Sequence, residues 1–233
     1  MYQAQNTRYQ TMRYSRCGNS GLKLPAVSLG FWHNFGDTSP FKTMKQLCFT
    51  AFDHGITHFD LANNYGPDPG SAERNLGRIL REELGSYRDE LIINQNRYSI
   101  FDRTIEQNGL KETAAKLQKG IIAFSPLAQG LLTDRYLYGI PADSRIKTDG
   151  RFLHASDLTE KRLRQIKALH EIAISRGQTL AEMALSWILR DGIVTSVLVG
   201  ASKPSQILDN IKALENTAFS EEEQTAIDQI TAL

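Results

Sequence analysis

Asp60 and Tyr65 stand together in the segment HFDLANNYG (His58–Gly66). A carboxylate and a phenol in one loop could carry acid–base chemistry, with the phenol handing a proton to a reacting oxygen. A phenol with a pKa of ~10 does this poorly at neutral pH unless its surroundings lower that value. A nearby lysine would do so, because its charge favours the phenolate. A second group lies in VLVGASKPSQILDN (Val197–Asn210). Gly200 lets the backbone come close to a ligand. Ser202 and Lys203 open a helix, where free N–H groups and the helix dipole favour an anion. No GxGxxG follows the first apolar run, which argues against a Rossmann dinucleotide site.

Both groups need a frame. Short apolar runs alternate with helical patterns along the chain. Ala26–Gly30, Thr57–Leu61, Glu90–Gln95, Gly120–Ser125 and Val194–Gly200 read as five strands. Residues 12–25, around Gly18 and Gly21, suit a hairpin ahead of them. Helical stripes cover Thr43–His54, closed by Gly55, and Ser71–Leu84, closed by Gly85. Others cover Gly109–Lys119, Thr159–Arg176, Lys203–Leu214 and Ser220–Ile230. Thr179 with Glu182, and Ser220 with Glu223, have the spacing of capping boxes.

The strands are apolar runs without strict alternation, which predicts an α/β fold with a parallel sheet covered by helices. A (β/α) barrel and an open doubly wound sheet both satisfy this pattern. In either, function gathers at the carboxyl edge of the strands. The polar residues fall there: Trp32 and His33 after the first strand, Asp60 and Tyr65 after the second, Gln95 at the third. Ser125 and Leu127 follow the fourth, and Gly200 to Lys203 the fifth.

Composition narrows the partners. Apolar residues make up 41% and charged residues 23%, ordinary for a folded domain and contrary to disorder. Twenty-seven basic residues against 26 acidic ones leave +1, which gives no electrostatic reason for a nucleic-acid partner. No run approaches the ~18 apolar residues of a membrane span, and the N-terminal stretch lacks the apolar core of a secretory signal. The cytoplasm follows by elimination. Cys17 and Cys48 have no metal-ligand spacing, and no metal is expected. His54 and His170 fall in helical patterns and read as structural or solvated.

HFDLANNYG, FSPLAQGLLTDRY (Phe124–Tyr136) and VLVGASKPSQILDN together resemble the aldo-keto reductase family, and the likeness extends over nearly the whole chain as a single domain, 1–233. The resemblance implies a (β/α)8 TIM barrel and an NADP(H) cofactor. The implied reaction is reduction of small aldehydes, glyceraldehyde 3-phosphate and methylglyoxal among them. It makes Tyr65 the proton donor and gives Asp60 a role in tuning the site. Trp32 would line the pocket and Gln95 hold the carboxamide. Ser125, Leu127, Gly130 and Leu131 would meet the pyrophosphate side, and Gly200, Ser202, Lys203, Gln206 and Asn210 the adenosine end.

The pattern departs from the family in one place. Five strands stand where the family has eight, and ELII (Glu90–Ile93) runs straight into NQNRYSIFDR, which resembles the sixth strand and its sequel. The seam lies near 93/94. Three β/α units of ~30 residues each are missing, roughly 90 residues or more. The family's catalytic lysine and active-site histidine belong to the missing span; His33 is the one residue near the mouth that could substitute for the histidine. The sequence therefore leaves three readings: an impaired reductase, an NADPH-binding remnant without catalysis, and a regulatory subunit-like protein, a role the wider family includes in potassium-channel β subunits. An incomplete barrel also exposes strand edges, a route to a homo-oligomer.

Overall fold

The computed structural model describes residues 2–232 apart from 19–20, 33, 62–64, 67, 69, 91–95, 108–109, 117–120 and 149–152. The chain opens with an antiparallel hairpin, β1 (Tyr14–Arg16) against β2 (Lys23–Pro25), with Ser15 opposite Leu24. Five parallel strands follow: β3 (Val27–Gly30), β4 (Phe59–Asp60), β5 (Asn96–Arg97), β6 (Ile121–Phe124) and β7 (Val194–Val199). The helices between and after them are α1 (Phe41–Asp53), α2 (Ser71–Ile79), α3 (Thr104–Gln107), α4 (Leu110–Lys116), α5 (Arg145–Thr148), α6 (Glu160–Ser175), α7 (Leu180–Leu189), α8 (Pro204–Lys212) and α9 (Glu221–Ala232). None among the described residues is long and apolar enough to cross a membrane.

The strand order decides between barrel and open sheet. It is β4-β3-β7-β6-β5. Each strand lies beside its sequence neighbour, and the last, β7, returns to pair with the first, β3. A doubly wound sheet instead reverses direction at a switch point. Among the described residues this is the circular order of a barrel, with no pairing between β4 and β5. The sheet is a partial barrel, and the break falls where the sequence joins ELII to NQNRYS.

Strand alternation sorts the side chains. Gly30 is in register with Asp60, and Ser28 with Leu198; Gly30, Asp60 and Leu198 line the cavity described below. Deeper on that face the buried hydroxyls of Ser28 and Ser196 bond each other. The opposite face carries Val27, Leu29, Phe59, Val197 and Val199, all buried in the core with Leu47, Ala51, Phe52 and the apolar side of α7. His58, buried beside Asp60, has its pKa lowered to about 4 by burial, so the ring is neutral at physiological pH.

Three of the predicted helix ends hold. Thr179 Oγ1 accepts from the Glu182 N–H at 3.2 Å, while Glu182 Oε2 accepts from the Thr179 N–H at 2.8 Å. Ser220 and Glu223 form the same pair, at 3.2 and 2.8 Å. Gly55 ends α1 with φ +78°; a Cβ there would stand 2.6 Å from the Arg8 carbonyl and 2.7 Å from Met12 Cβ. Gly55→Ala should therefore cost about 2–3 kcal/mol, from the left-handed backbone and the collision with the N-terminal segment together. Urea denaturation measures it, and an unchanged midpoint would contradict the packing.

The third strand differs from expectation. The predicted strand Glu90–Gln95 begins on Glu90, which instead ends a 3-10 helix, Gly85–Glu90, and residues 91–95 lie outside the described set. The observed strand is β5, bonded to β6 through Asn96↔Ala123 and Arg97↔Phe124. Gly85 does not terminate the helix that precedes it. Its φ of −57° and ψ of −37° are right-handed, so the chain passes from α2 through a widened turn, Leu80–Leu84, into the 3-10 segment. A glycine ends a helix only when it flips to positive φ, and this one does not.

Beyond β5 a charged network fixes the chain to the body. Glu106 accepts from the Tyr98 hydroxyl and from Arg190 at 3.2 Å, and Lys111 lies 3.4 Å from Glu106 and 2.6 Å from Asp191. Burial pushes Glu106 upward, but Tyr98, Lys111 and Arg190 together hold it below the usual carboxylate range. Arg190 and Arg103 also cover Trp187, their guanidinium carbons 3.8 and 4.5 Å from its ring centroid.

Candidate active site

β4 delivers Asp60 to the strand edge, where it is buried; Tyr65, five residues on, folds back and donates its hydroxyl to Asp60 Oδ2 at 2.9 Å. Trp32, leaving β3, stacks on Tyr65 with ring centroids 5.9 Å apart and planes 7° from parallel. The loop after β3 is tied to the loop after β7 by Asn34 Nδ2, which donates to the Ala201 carbonyl at 2.9 Å.

These groups open onto a cavity of about 610 Å³. Its wall continues through the segment after β6, where Ser125, Ala128 and Gln129 adopt φ of 56°, 47° and 60° and Gly130 a φ of 99°. Non-glycine residues rarely hold this backbone, and where they do they mark sites shaped for a ligand. Gln129 Nε2 donates to Ser125 Oγ at 3.1 Å, bracing the bend. The far wall is the turn from β7 into α8. A Cβ on Gly200 would meet no protein atom within 4 Å, so that stretch of backbone faces open space.

At that turn Gln206 reaches back over the helix start. Its Oε1 accepts from the Ser202 N–H at 2.8 Å, the Ser202 hydroxyl at 3.1 Å and the Lys203 N–H at 3.1 Å. Pro204 takes the first helical position, where a missing N–H costs nothing.

The cavity gathers most of the residues singled out from sequence. Asp60, Tyr65, Trp32, Ser125, Leu127 and Gly130 line it, and so do Gly200, Ser202, Lys203 and Gln206. Leu131 and Asn210 are buried and are not part of the lining. Gln95 and His33 lie outside the described residues. His54 bonds the Thr50 carbonyl in its own helix, at 2.8 Å, and His170 pairs with Asp134, at 3.1 Å. Cys48 is fully buried, and burial pushes its thiol up, so it is inert at neutral pH. No group of acidic, histidine or cysteine residues that could hold a metal occurs among the described residues.

Sequence reasoning missed Asn34, Gln129, Arg135 and Asp143. Arg135 falls inside FSPLAQGLLTDRY, and a cation in that segment was a usable signal. Asp143 belongs to no motif. Arg135 Nη2 lies 2.7 Å from Asp143 Oδ1 and donates to its carbonyl at 2.9 Å, and both residues line the cavity.

A strand-edge carboxylate and phenol, a strained loop and an anion-favouring helix start around one cavity belong to a barrel oxidoreductase, and the comparisons agree. The chain belongs to the aldo/keto reductase family, whose model matches residues 26–94 and 88–232. It is similar to the L-glyceraldehyde 3-phosphate reductase of Escherichia coli O157:H7, 38% identical over 322 aligned positions that cover 95% of this chain and 93% of that protein. Two solved structures share the fold: the thermostable aldo-keto reductase Tm1743, with a TM-score of 0.71 and 22% identity, covering 94% of this chain and 100% of that one. The other is the glycerol dehydrogenase AKR11B4 of Gluconobacter oxydans, with a TM-score of 0.72 and 20% identity, covering 94% and 95%.

Proposed function

We propose that this chain descends from an NADPH-dependent reductase of small aldehydes, that it keeps the cofactor site, and that its turnover is impaired by an internal shortening near residues 93/94. The observation that carries the reading is one cavity shared by the Tyr65–Asp60 pair and the Gly200–Gln206 turn.

The residues fit the cofactor. Ser202 and Lys203 present two main-chain donors and a cation to an anion, which suits the 2′-phosphate of NADPH. The bend at Ser125–Gly130 would pass the pyrophosphate, and the open side of Gly200 allows close approach. The bound nicotinamide would supply a hydride to an aldehyde carbon. Tyr65 would hold a proton for the oxygen, Asp60 would fix the phenol's direction, and Trp32 would wall the pocket beside it.

Three findings support the shortening. The strand circle is broken between β4 and β5, and the family's match comes in two pieces that overlap at 88–94. The alignment to the E. coli reductase also runs over 322 positions although this chain has 233 residues. Impairment is inferred from the missing span, to which the family resemblance assigns the catalytic lysine and the active-site histidine. Among the described residues that line the cavity the cations are Arg135 and Lys203, which follow β6 and β7. The same two-piece match favours a second reading, cofactor binding with no catalysis at all.

A fluorescence titration tests the shared part of both readings. Saturable NADPH binding is expected; no binding at millimolar cofactor would overturn them. Glyceraldehyde 3-phosphate and methylglyoxal are the aldehydes to try as substrates.

A further inference from the structure

The donors that would meet a phosphate in this cavity are already engaged by the protein itself. Gln206 Oε1 takes the main-chain donors of Ser202 and Lys203. Asp143 takes Arg135, through its side chain at 2.7 Å and its carbonyl at 2.9 Å. Gln206 is neutral and can turn away at little electrostatic cost. Asp143 is different: it places a full negative charge in the lining of a cavity whose two cations, Arg135 and Lys203, otherwise favour an anion. The Arg135 bond holds its carboxyl below the ordinary range, and Lys203 adds a weaker pull, so the group is ionised at neutral pH. Its side chain is 80% exposed and sits between the short helix at Asp134–Tyr136 and α5, tied to Arg135 and not packed into the core.

We propose that Asp143 sets cofactor affinity by competition: its carboxylate occupies, on Arg135, the place that a phosphate of the nucleotide would take, and must leave before that phosphate can bind. The inference rests on the cavity being an NADPH site. The nucleotide is opposed while Asp143 is charged because Arg135 has to give up a partner it holds in the free protein. An exposed ion pair of this kind contributes little, so removing it should change affinity only a few-fold.

The test measures NADPH and 2′,5′-ADP binding by calorimetry to the wild-type chain, to Asp143→Asn, to Arg135→Gln and to the double variant. Asp143→Asn should bind both ligands about three- to fivefold more tightly than wild type at low salt. In the Arg135→Gln background the same substitution should change affinity by less than about 1.5-fold, the signature of a residue acting through its partner. Equal or weaker binding by Asp143→Asn overturns the inference and leaves the cofactor reading standing. An equal gain in both backgrounds also overturns it, because the effect is then one of general charge and not of competition for Arg135. If neither wild type nor Asp143→Asn binds either ligand, the cofactor reading falls and the inference with it.

Discussion

Given NADPH and glyceraldehyde 3-phosphate, this chain should turn over at least about 10²-fold more slowly than the E. coli reductase it resembles, because acid–base assistance to a reacting oxygen is worth ~10²–10⁴ in rate. Tyr65, the proposed proton donor, lies 2.9 Å from Asp60 and stacks on Trp32. The lysine and histidine that the family resemblance assigns to this reaction belong to the span proposed to be missing, and with them goes that assistance. Loss of NADPH absorbance measures the rate in both proteins under the same conditions. A rate within tenfold of the reductase, abolished by Tyr65→Phe, would show that the shortened site supports the proton transfer after all. A slow rate that Tyr65→Phe leaves untouched would place the residual reaction outside this residue.

The second large effect concerns the choice between the two nicotinamide cofactors. Lys203→Glu should weaken NADPH binding roughly 10- to 100-fold, since a hydrogen bond to an ionised group contributes ~1.5–3 kcal/mol and each 1.4 kcal/mol is a factor of ten. NADH, which lacks the 2′-phosphate, should be affected less than about threefold. The substitution leaves the main-chain donors at the turn intact, and Gln206 continues to accept from the residue 203 N–H. A glutamate at the start of α8 is also compatible with the helix dipole, so the fold should persist. Parallel titrations with the two cofactors decide it; equal losses for both would show that Lys203 is not the residue that reads the phosphate.

The sequence made the frame legible wherever one element carried its own signal. The capping pairs Thr179–Glu182 and Ser220–Glu223 were readable because both partners lie within four residues of each other, and the bonds are those expected. Strands β3 and β7 were readable as apolar runs because they are buried on both faces, and β6 because its residues are apolar although every second one is only half-buried. The choice between barrel and open sheet was not readable, because it lies in which strands pair, and β3 with β7 is a contact across most of the chain. Of the expected strand Glu90–Gln95, Glu90 ends a 3-10 helix and residues 91–95 lie outside the described set, while the strand that pairs with β6 is made by Asn96 and Arg97. Much of the site was legible because its parts lie in continuous motifs at strand ends. Asp143 was not, because its role comes from folding back onto Arg135, and nothing in GIPADSR announces that.

Among the described residues the strands pair without interruption from β5 through β6, β7 and β3 to β4, and β4 and β5 do not pair with each other. On the reading that the chain is shortened there, repair would be a single splice. A cassette carrying the proposed missing β/α units would enter between the Gly85–Glu90 segment and Asn96 and leave the β5–β6–β7–β3–β4 pairings as they stand, which would make the chain an acceptor for grafted catalytic halves.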